Sequence, residues 1–570
     1  MAIRIMEGDA VLALLNDKAF CEAWDQLHAK CPWATAFQGL GFVSTWYRVY
    51  HGRYRPVILY ERDSSGRLRG ALPLAVASES DRVLPAGGRQ AEYHAWLADP
   101  GDGDVFIEGA MAELRHVLPR TTLVFHYLPP MAPFAWAQHG AHWRKVCQLR
   151  PFRRPLMKVD DPARIDESLA KKSNKSRLNR LRKLGELSFV RLSTSEELSS
   201  VFDDIIAYCD LRQGAVHGSL PFQSDPLKKP FHLAMMAVPG LLHTTVMRVG
   251  AKVIAAHIGA VSRDVVHLGI TAISPFDAEH SPGKLLMLLL GKLLSEEGFS
   301  TLDLTPGGDS YKDRFASHHD EVLELTVFPR PLHAATRVAT KALEATAKRA
   351  MRLAGLEPAR LKRLARELTP RKVLIAPLSL ARRLMRWLYY KSEFRLYSYA
   401  IADARHVVST AEIARDSLPS LLLRCGVAIS PPKRQFLSRA LERLEQGAHV
   451  YTSSDRALLK HSGWMCESQS EAFFPEVHQK FRFPPGTAAL WDFYTQPEAR
   501  GHGLYQATLR RMLHDAATIP GIQQVYIGVL ADNGPSRHVI EKLGFRYECS
   551  LFERTLCGKT NRWLSHSQTG

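Results

Sequence analysis

No stretch of this 570-residue chain stays apolar long enough to cross a bilayer. A spanning helix needs about 20 apolar residues, and the strongest run, Leu285–Leu294, is interrupted by Lys292. The opening MAIRIMEGDAVLALLND carries acids early and has no small-residue cleavage pattern, so no signal peptide is expected. The eight cysteines are scattered and form no CxxC pair. That argues against a zinc site or a disulfide scaffold, and for reduced, mostly buried thiols. A cytoplasmic protein without a metal is the expectation. The chain also lacks an RNP-type aromatic pattern, a zinc knuckle and a helix-turn-helix signature, so nucleic acid is a weak candidate partner.

What is present is ordinary in bulk and unusual in charge. Apolar residues make up 46% and charged residues 23%, values of a globular chain. At about 100–200 residues per domain, the length predicts three or four packing units. Lys and Arg number 75 against 57 Asp and Glu, a net +18. A basic excess points to anionic partners, and its distribution is uneven. Residues 333–395 hold 16 Lys and Arg against 4 Glu, a net of +12. This segment is rich in Ala, Leu and Arg, which favours helix, and Pro358, Pro370 and Pro377 divide it. It reads as a basic helical connector. Residues 171–183 hold seven cations and no acid; they read as a solvated helix face or as a contact for a phosphate-bearing partner.

On either side of the connector the chain alternates strand-like and helix-like segments. VILYERDSSGRLRGALPLAVA (57–77) predicts a hairpin around Ser-Ser-Gly. Trp46, Tyr47 and Tyr50 have the spacing of one buried helix face. A basic helix is predicted at 166–184, another helix near 195–213, and a loop containing Gly214, Gly218 and Pro221. A further hairpin covers 241–273. The strand STLDLTP follows an apolar helix, and EVLELTVF closes the segment.

Beyond the connector, the strand LWDFYT runs into Gln496-Pro497-Glu498-Ala499-Arg500-Gly501-His502-Gly503 and then a helix. Glycines let the backbone fold back and expose its amides, and a helix N-terminus adds partial positive charge. The product is an anion cradle suited to pyrophosphate. About 30 residues on come Asn533-Gly534-Pro535-Ser536 and Leu543-Gly544-Phe545. This combination resembles the GCN5-related N-acetyltransferase (GNAT) superfamily. The resemblance implies acetyl-CoA or another acyl-CoA as co-substrate, with contacts at Arg500, Gly501, Gly503 and Asn533. Two positions depart from the pattern. Tyr505 replaces the last small residue of the loop, and Ile540 stands where many members carry a tyrosine acid. Ile cannot donate a proton. Asp492, on the strand before the loop, reads as a base acting through water or as a solvated strand-end carboxylate.

Residues 277–315 carry a second signature: Ser281-Pro282-Gly283 at a helix start, Asp303 in a strand, then Gly307-Gly308 and Tyr311-Lys312. Ser suits an N-cap and Pro a first helical turn, and Gly283 would let a ligand approach the amides. With FQGLGFVSTWYRVY, GALPL and the basic run upstream, this resembles the CelD-like family of GNAT-related proteins linked to cellulose and exopolysaccharide synthesis. That family is similar to the FemAB aminoacyl ligases, in which two GNAT-like halves form one unit. The resemblance implies that Ser281 and Gly283 lie at the acyl-donor end. Asp303, Tyr311 and Lys312 would line the same cleft, with Tyr311 giving a proton and Lys312 meeting a phosphate. Each also reads as a structural residue: a turn carboxylate, a packed aromatic and a solvated lysine. His257, on an apolar strand, reads as a base or as a core histidine.

The expected fold class is α/β with mixed sheets, built as tandem GNAT-like folds. A FemAB-like double unit (1–155 and 156–332) would be joined through 333–395 to a GNAT domain (396–570). The expected activity is transfer from acyl-CoA to an amine or hydroxyl of a sugar, glycoconjugate precursor or other small acceptor. Alternatives are aminoacyl-tRNA-dependent transfer, or a C-terminal copy that binds CoA without catalysis. Residues 333–395 would supply peripheral contact with an anionic membrane at its inner face.

Overall fold

In the computed structural model of the chain, β2 (Tyr54–Arg62) and β3 (Leu68–Ala77) pair antiparallel around Ser64-Ser65-Gly66, with Gly66 at φ +84°. The structure describes residues 3–80, 82–334, 387–402, 413–424, 429–455 and 457–566, with 336, 346 and 385. The chain divides into two compact units, one of residues 1–209 and 221–347, the other of 210–220 and 348–570.

In the first unit, β1 (Arg4–Glu7), β2, β3 and β4 (Val83–Pro85) form one sheet in that order, with β5 (Leu97–Ala98) also on β3. The helix Leu40–Tyr50 presses Trp46, Tyr47 and Tyr50 inward, each 1–2% exposed, and the Tyr47 hydroxyl donates to the Leu74 carbonyl at 2.7 Å. A second sheet runs β6 (Leu123–Leu128), β13 (His318–Val327), β7 (Cys147–Lys158), β12 (Thr301–Asp303), β11 (Val265–Ile273), β10 (Lys252–Ser262), β9 (Leu242–Val249), β8 (Leu187–Leu192). Asp225, in the loop before the helix Lys228–Met236, accepts from Tyr50 at 2.6 Å, Arg53 at 2.9 Å and Gln90 at 3.0 Å.

Within that sheet the β11–β12 pair is parallel, over 265–267 against 301–303. A parallel pair needs a crossover, and the helix Pro282–Glu296 supplies it, burying Leu285, Leu286, Leu290 and Leu294. Past His267 and Asp303 the strands part. β12 stops because Thr305 turns to φ +59°, while β11 continues to Ile273. The expected strand STLDLTP is therefore shorter than its apolar pattern. The expected basic helix is two, Pro162–Ala170 and Lys172–Leu184, separated by Lys171 at ψ 133°. The helix expected to stop near 213 runs through Gly214 to His217, and Gly218 at φ +71° follows its end.

The second unit has an eight-stranded sheet in the order β15 (Ala414–Arg415), β16 (Ala448–Ser454), β17 (Leu459–Cys466), β20 (Thr487–Thr495), β21 (Gln524–Leu530), β14 (Tyr389–Ala400), β22 (Arg546–Leu556), β23 (Lys559–His566). A small pair, β18 (Glu471–Phe474) and β19 (Gln479–Arg482), lies apart from it. β20 and β21 repeat the parallel construction, paired over 487–490 and 524–527 and joined through the helix Leu504–Thr518. β14 begins at Tyr389, so the last residues assigned to the connector belong to this sheet. Most of the rest of 333–395, and with it the expected membrane contact, lies outside the described residues.

Among the described residues no helix is long and apolar enough to cross a membrane. The seven described cysteines form no disulfide; three are buried, three half-buried and Cys557 is exposed.

Candidate active sites

Asp303 is wholly buried at the end of β12. A carboxylate removed from water needs several donors, and it has them. Its Oδ2 accepts from the Tyr93 hydroxyl at 2.6 Å and from Arg154 at 3.4 Å, and lies 3.0 Å from His267 Nδ1. Its Oδ1 accepts the Thr305 amide at 2.8 Å. Burial works against the charge, but the hydrogen bond from His267, the Arg154 guanidinium and the Tyr93 hydroxyl outweigh it and hold the pKa below its ordinary value. Burial first, then the Asp303 charge, pushes the Tyr93 phenol well above its usual range, so it remains a donor. Arg154 is also paired with Asp320. On its far side, His267 Nε2 lies 3.0 Å from Ser262 Oγ.

Lys312 joins this cluster as a structural cation. It is 7% exposed, and its Nζ donates to the Thr305 carbonyl at 3.1 Å and hydroxyl at 3.2 Å, with Asp309 at 3.6 Å. It therefore holds the left-handed turn that follows Asp303, which gives the expected phosphate contact a competing internal role. Tyr311 beside it is 39% exposed. Glu92, half-buried, feels Lys312, Lys228 and Asp303; enclosure of its carboxyl pushes the pKa up to about 7 despite the two lysines.

His257 is not part of this cluster. It is wholly buried on β10, neither ring nitrogen has a partner, and burial lowers its pKa to about 3. A general base must reach its proton, so the core-histidine reading holds. Its neighbour Gly259 is dictated by space: a Cβ would stand 2.5 Å from the His267 carbonyl oxygen and 2.6 Å from His257 Nε2. Gly259→Ala is expected to destabilise the first unit by about 1–3 kcal/mol in thermal unfolding. Ser281 is the residue before the helix Pro282–Glu296 and sits at φ +52°, with no side-chain cap bond. At Gly283 a Cβ would lie 2.5 Å from Ile273 Cδ1. The Ile273 side chain packs where a Cβ would stand, so glycine also lets the helix seat on β11.

In the second unit Arg500, Gly501, His502 and Gly503 are exposed. Gly501 and Gly503 lie at φ +80° and +74°, and a Cβ at either would have nothing within 4 Å. Backbone conformation alone requires glycine here. The helix Leu504–Thr518 begins directly after, with first-turn amides free of intrahelical partners. Asn533 accepts the Ser536 amide at 3.3 Å and so caps the helix Gly534–Lys542. Tyr505 packs on Phe493, and its hydroxyl lies 3.0 Å from Ser536 Oγ. Burial raises its pKa to about 12, so it stays protonated. Ile540 is wholly buried in the core with Leu509, Leu513 and Ile527. Asp492, at φ +50°, is paired with Arg443 at 2.5 Å. Its carboxylate is thus both exposed and engaged by a guanidinium.

Asp303 and Lys312 are thus brought together, as are Arg500, Gly501, Gly503 and the start of the helix. Sequence reasoning missed Tyr93, Arg154, Ser262, His267 and Glu92. Only His267 carried a local hint, a polar residue in an apolar strand. Among the described residues no group of three or more His, Cys, Asp or Glu could hold a metal.

Two stretches match family models, an acetyltransferase (GNAT) domain over residues 169–313 and the acetyltransferase (GNAT) family over residues 472–545. The first takes in the basic helix Lys172–Leu184, β8 to β12, Asp303 and Lys312; the second spans β20, the Arg500 loop and Asn533. The chain is a mixed α/β protein with GNAT-like folds in tandem. No curated protein matches it. Among solved structures, FemX is 9% identical, covering 55% of this chain and 98% of its own, with a TM-score of 0.38. L-PGS from Bacillus licheniformis is 10% identical, covering 56% and 96%, with 0.37. A tandem GNAT protein from the clavulanic acid biosynthesis pathway is 13% identical, covering 68% and 100%, with 0.20.

Proposed function

We propose that this chain transfers an acyl group from acyl-CoA to an amine or hydroxyl, with the CoA pyrophosphate held by the Arg500–Gly503 loop. One observation carries the reading. Two glycines in the left-handed region, open on the side where a Cβ would stand, lead into a helix N-terminus just beyond the point where a parallel strand pair parts. That geometry presents amides to an anion, and Arg500 adds a charge. Acyl-CoA would supply the thioester. The amides of β20, released where it leaves β21, would face the carbonyl oxygen and stabilise charge forming there. With Ile540 in the core and Asp492 on Arg443, the Tyr505–Ser536 hydroxyl pair is the nearest proton source for a departing thiolate.

A sugar or glycoconjugate acceptor is the finer part of the proposal and rests on the CelD-like resemblance. A cytoplasmic setting is proposed from the scattered cysteines, a phosphate contact at 171–183 from its charge and the CelD-like resemblance, and an anionic membrane contact at 333–395 from charge.

Isothermal titration of the full chain with CoA tests the donor. Binding is expected, weakened about tenfold or more by Arg500→Ala, since a charge-assisted hydrogen bond is worth about 1.5–3 kcal/mol. Gly503→Val should weaken it further, because a β-branched residue resists positive φ. No binding of CoA, together with binding of aminoacyl-tRNA, overturns the reading.

A further inference from the structure

Three side chains of the first unit stand in line, and transfer from CoA at the Arg500 loop uses none of them. Ser262 ends β10, His267 lies on β11 and Asp303 closes β12. Ser262 Oγ is 3.0 Å from His267 Nε2, and His267 Nδ1 is 3.0 Å from Asp303 Oδ2. With the imidazole neutral, hydrogen-bond bookkeeping sets the direction of each proton. An ionised carboxylate can only accept, so Nδ1 carries the hydrogen. In the neutral imidazole Nε2 then holds a lone pair, and the donor facing it is the Ser262 hydroxyl. That oxygen in turn accepts the Ala36 amide at 2.5 Å, which leaves its own hydrogen for Nε2.

The burial of the three is graded. Asp303 is 0% exposed, His267 is 3%, and Ser262 is half-buried. A hydroxyl that only anchored the Ala36 amide would need no dehydrated carboxylate two bonds behind it, and such a carboxylate is costly to bury. A hydroxyl within reach of a base, itself oriented by a third group, is the arrangement of an activated nucleophile.

We propose that Ser262 is a nucleophile that accepts an acyl group from an activated ester or thioester, making the first unit an acyl-serine site distinct from the Arg500 loop. Oγ attacks the carbonyl carbon while its proton passes to His267 Nε2, and Asp303 stabilises the imidazolium. The donor's C–O or C–S bond then breaks, and the leaving oxygen or sulfur takes the proton from Nε2. Water or an acceptor hydroxyl attacks the serine ester next, with His267 as base, and the proton returns to Oγ.

The test uses the full chain and p-nitrophenyl acetate, which needs no CoA. A burst of p-nitrophenolate equal to the protein is expected, with one acetyl group on the peptide containing Ser262. Ser262→Ala should abolish the burst. His267→Gln should slow it about a hundredfold or more, the usual loss of a general base. Ser262→Cys, which keeps a nucleophile, should still take the label if the fold is intact by melting curve. Excess CoA should leave the rate unchanged. No acetyl on Ser262 in the folded wild-type chain, or equal labelling of Ser262→Ala, overturns the proposal; suppression by CoA overturns the separation of the two sites.

Discussion

Asp303→Ala is expected to destabilise the first unit by about 3–5 kcal/mol, the usual cost of removing one partner from a buried charge cluster. The substitution leaves Arg154 with Asp320 alone. It also strands the Tyr93 hydroxyl and His267 Nδ1, both buried, and releases the Thr305 amide that holds the turn after β12. Asp303→Asn should cost less, because it keeps the volume, but one accepting oxygen becomes a donor among three donors. Chemical denaturation followed by tryptophan fluorescence reads the effect, since six of the ten tryptophans lie in residues 1–155. A loss below about 1 kcal/mol in the alanine variant would mean that water reaches the carboxylate.

Mild acidification is also expected to cost the first unit stability through its buried histidines, a loss that the raised pKa of Glu92 opposes only in part. Burial lowers the pKa of His257 and His232 to about 3 and that of His94 to about 4. His94 shows why in its contacts: Nδ1 accepts the His126 amide at 3.0 Å, and protonation would break that bond. In the unfolded chain each histidine takes a proton near pH 6.5. The unfolded state therefore binds more protons between pH 6.5 and about 3–4, and stability falls as pH drops through that window. At pH 5 each histidine contributes a loss of about 2 kcal/mol, and the three together about 6 kcal/mol. His257→Met should recover about 2 kcal/mol at pH 5 and change little at pH 7.5, because neither ring nitrogen has a partner to lose. Equal shifts at the two pH values would contradict the assignment.

How much of this was legible in the sequence depended on the range of the interactions. The hairpin at 57–77 and the Arg500 loop were readable because turn chemistry is local. A glycine at positive φ and a strand feeding a helix need only neighbours a few residues away. β14 was misread as connector because Lys391 and Arg395 count as charge in any window. In the sheet they lie beside buried Phe394 and Leu396, and Arg395 pairs with Glu393. Gly283 shows the opposite limit: its residue type suits a ligand cradle, while the Ile273 side chain that lies where its Cβ would stand comes from a strand that only folding brings there.

The sequence by itself determined the strand–glycine–helix cradle of the second unit and the alternation of strands and helices, since those follow from backbone preference and periodicity. Only the tertiary structure decided what Asp303 is. Its partners come from 210 positions away at Tyr93, 149 at Arg154 and 36 at His267. A carboxylate acquires its pKa, its proton geometry and its cost of burial from whatever surrounds it. No pattern of spacing along the chain encodes which distant donors folding will bring to it.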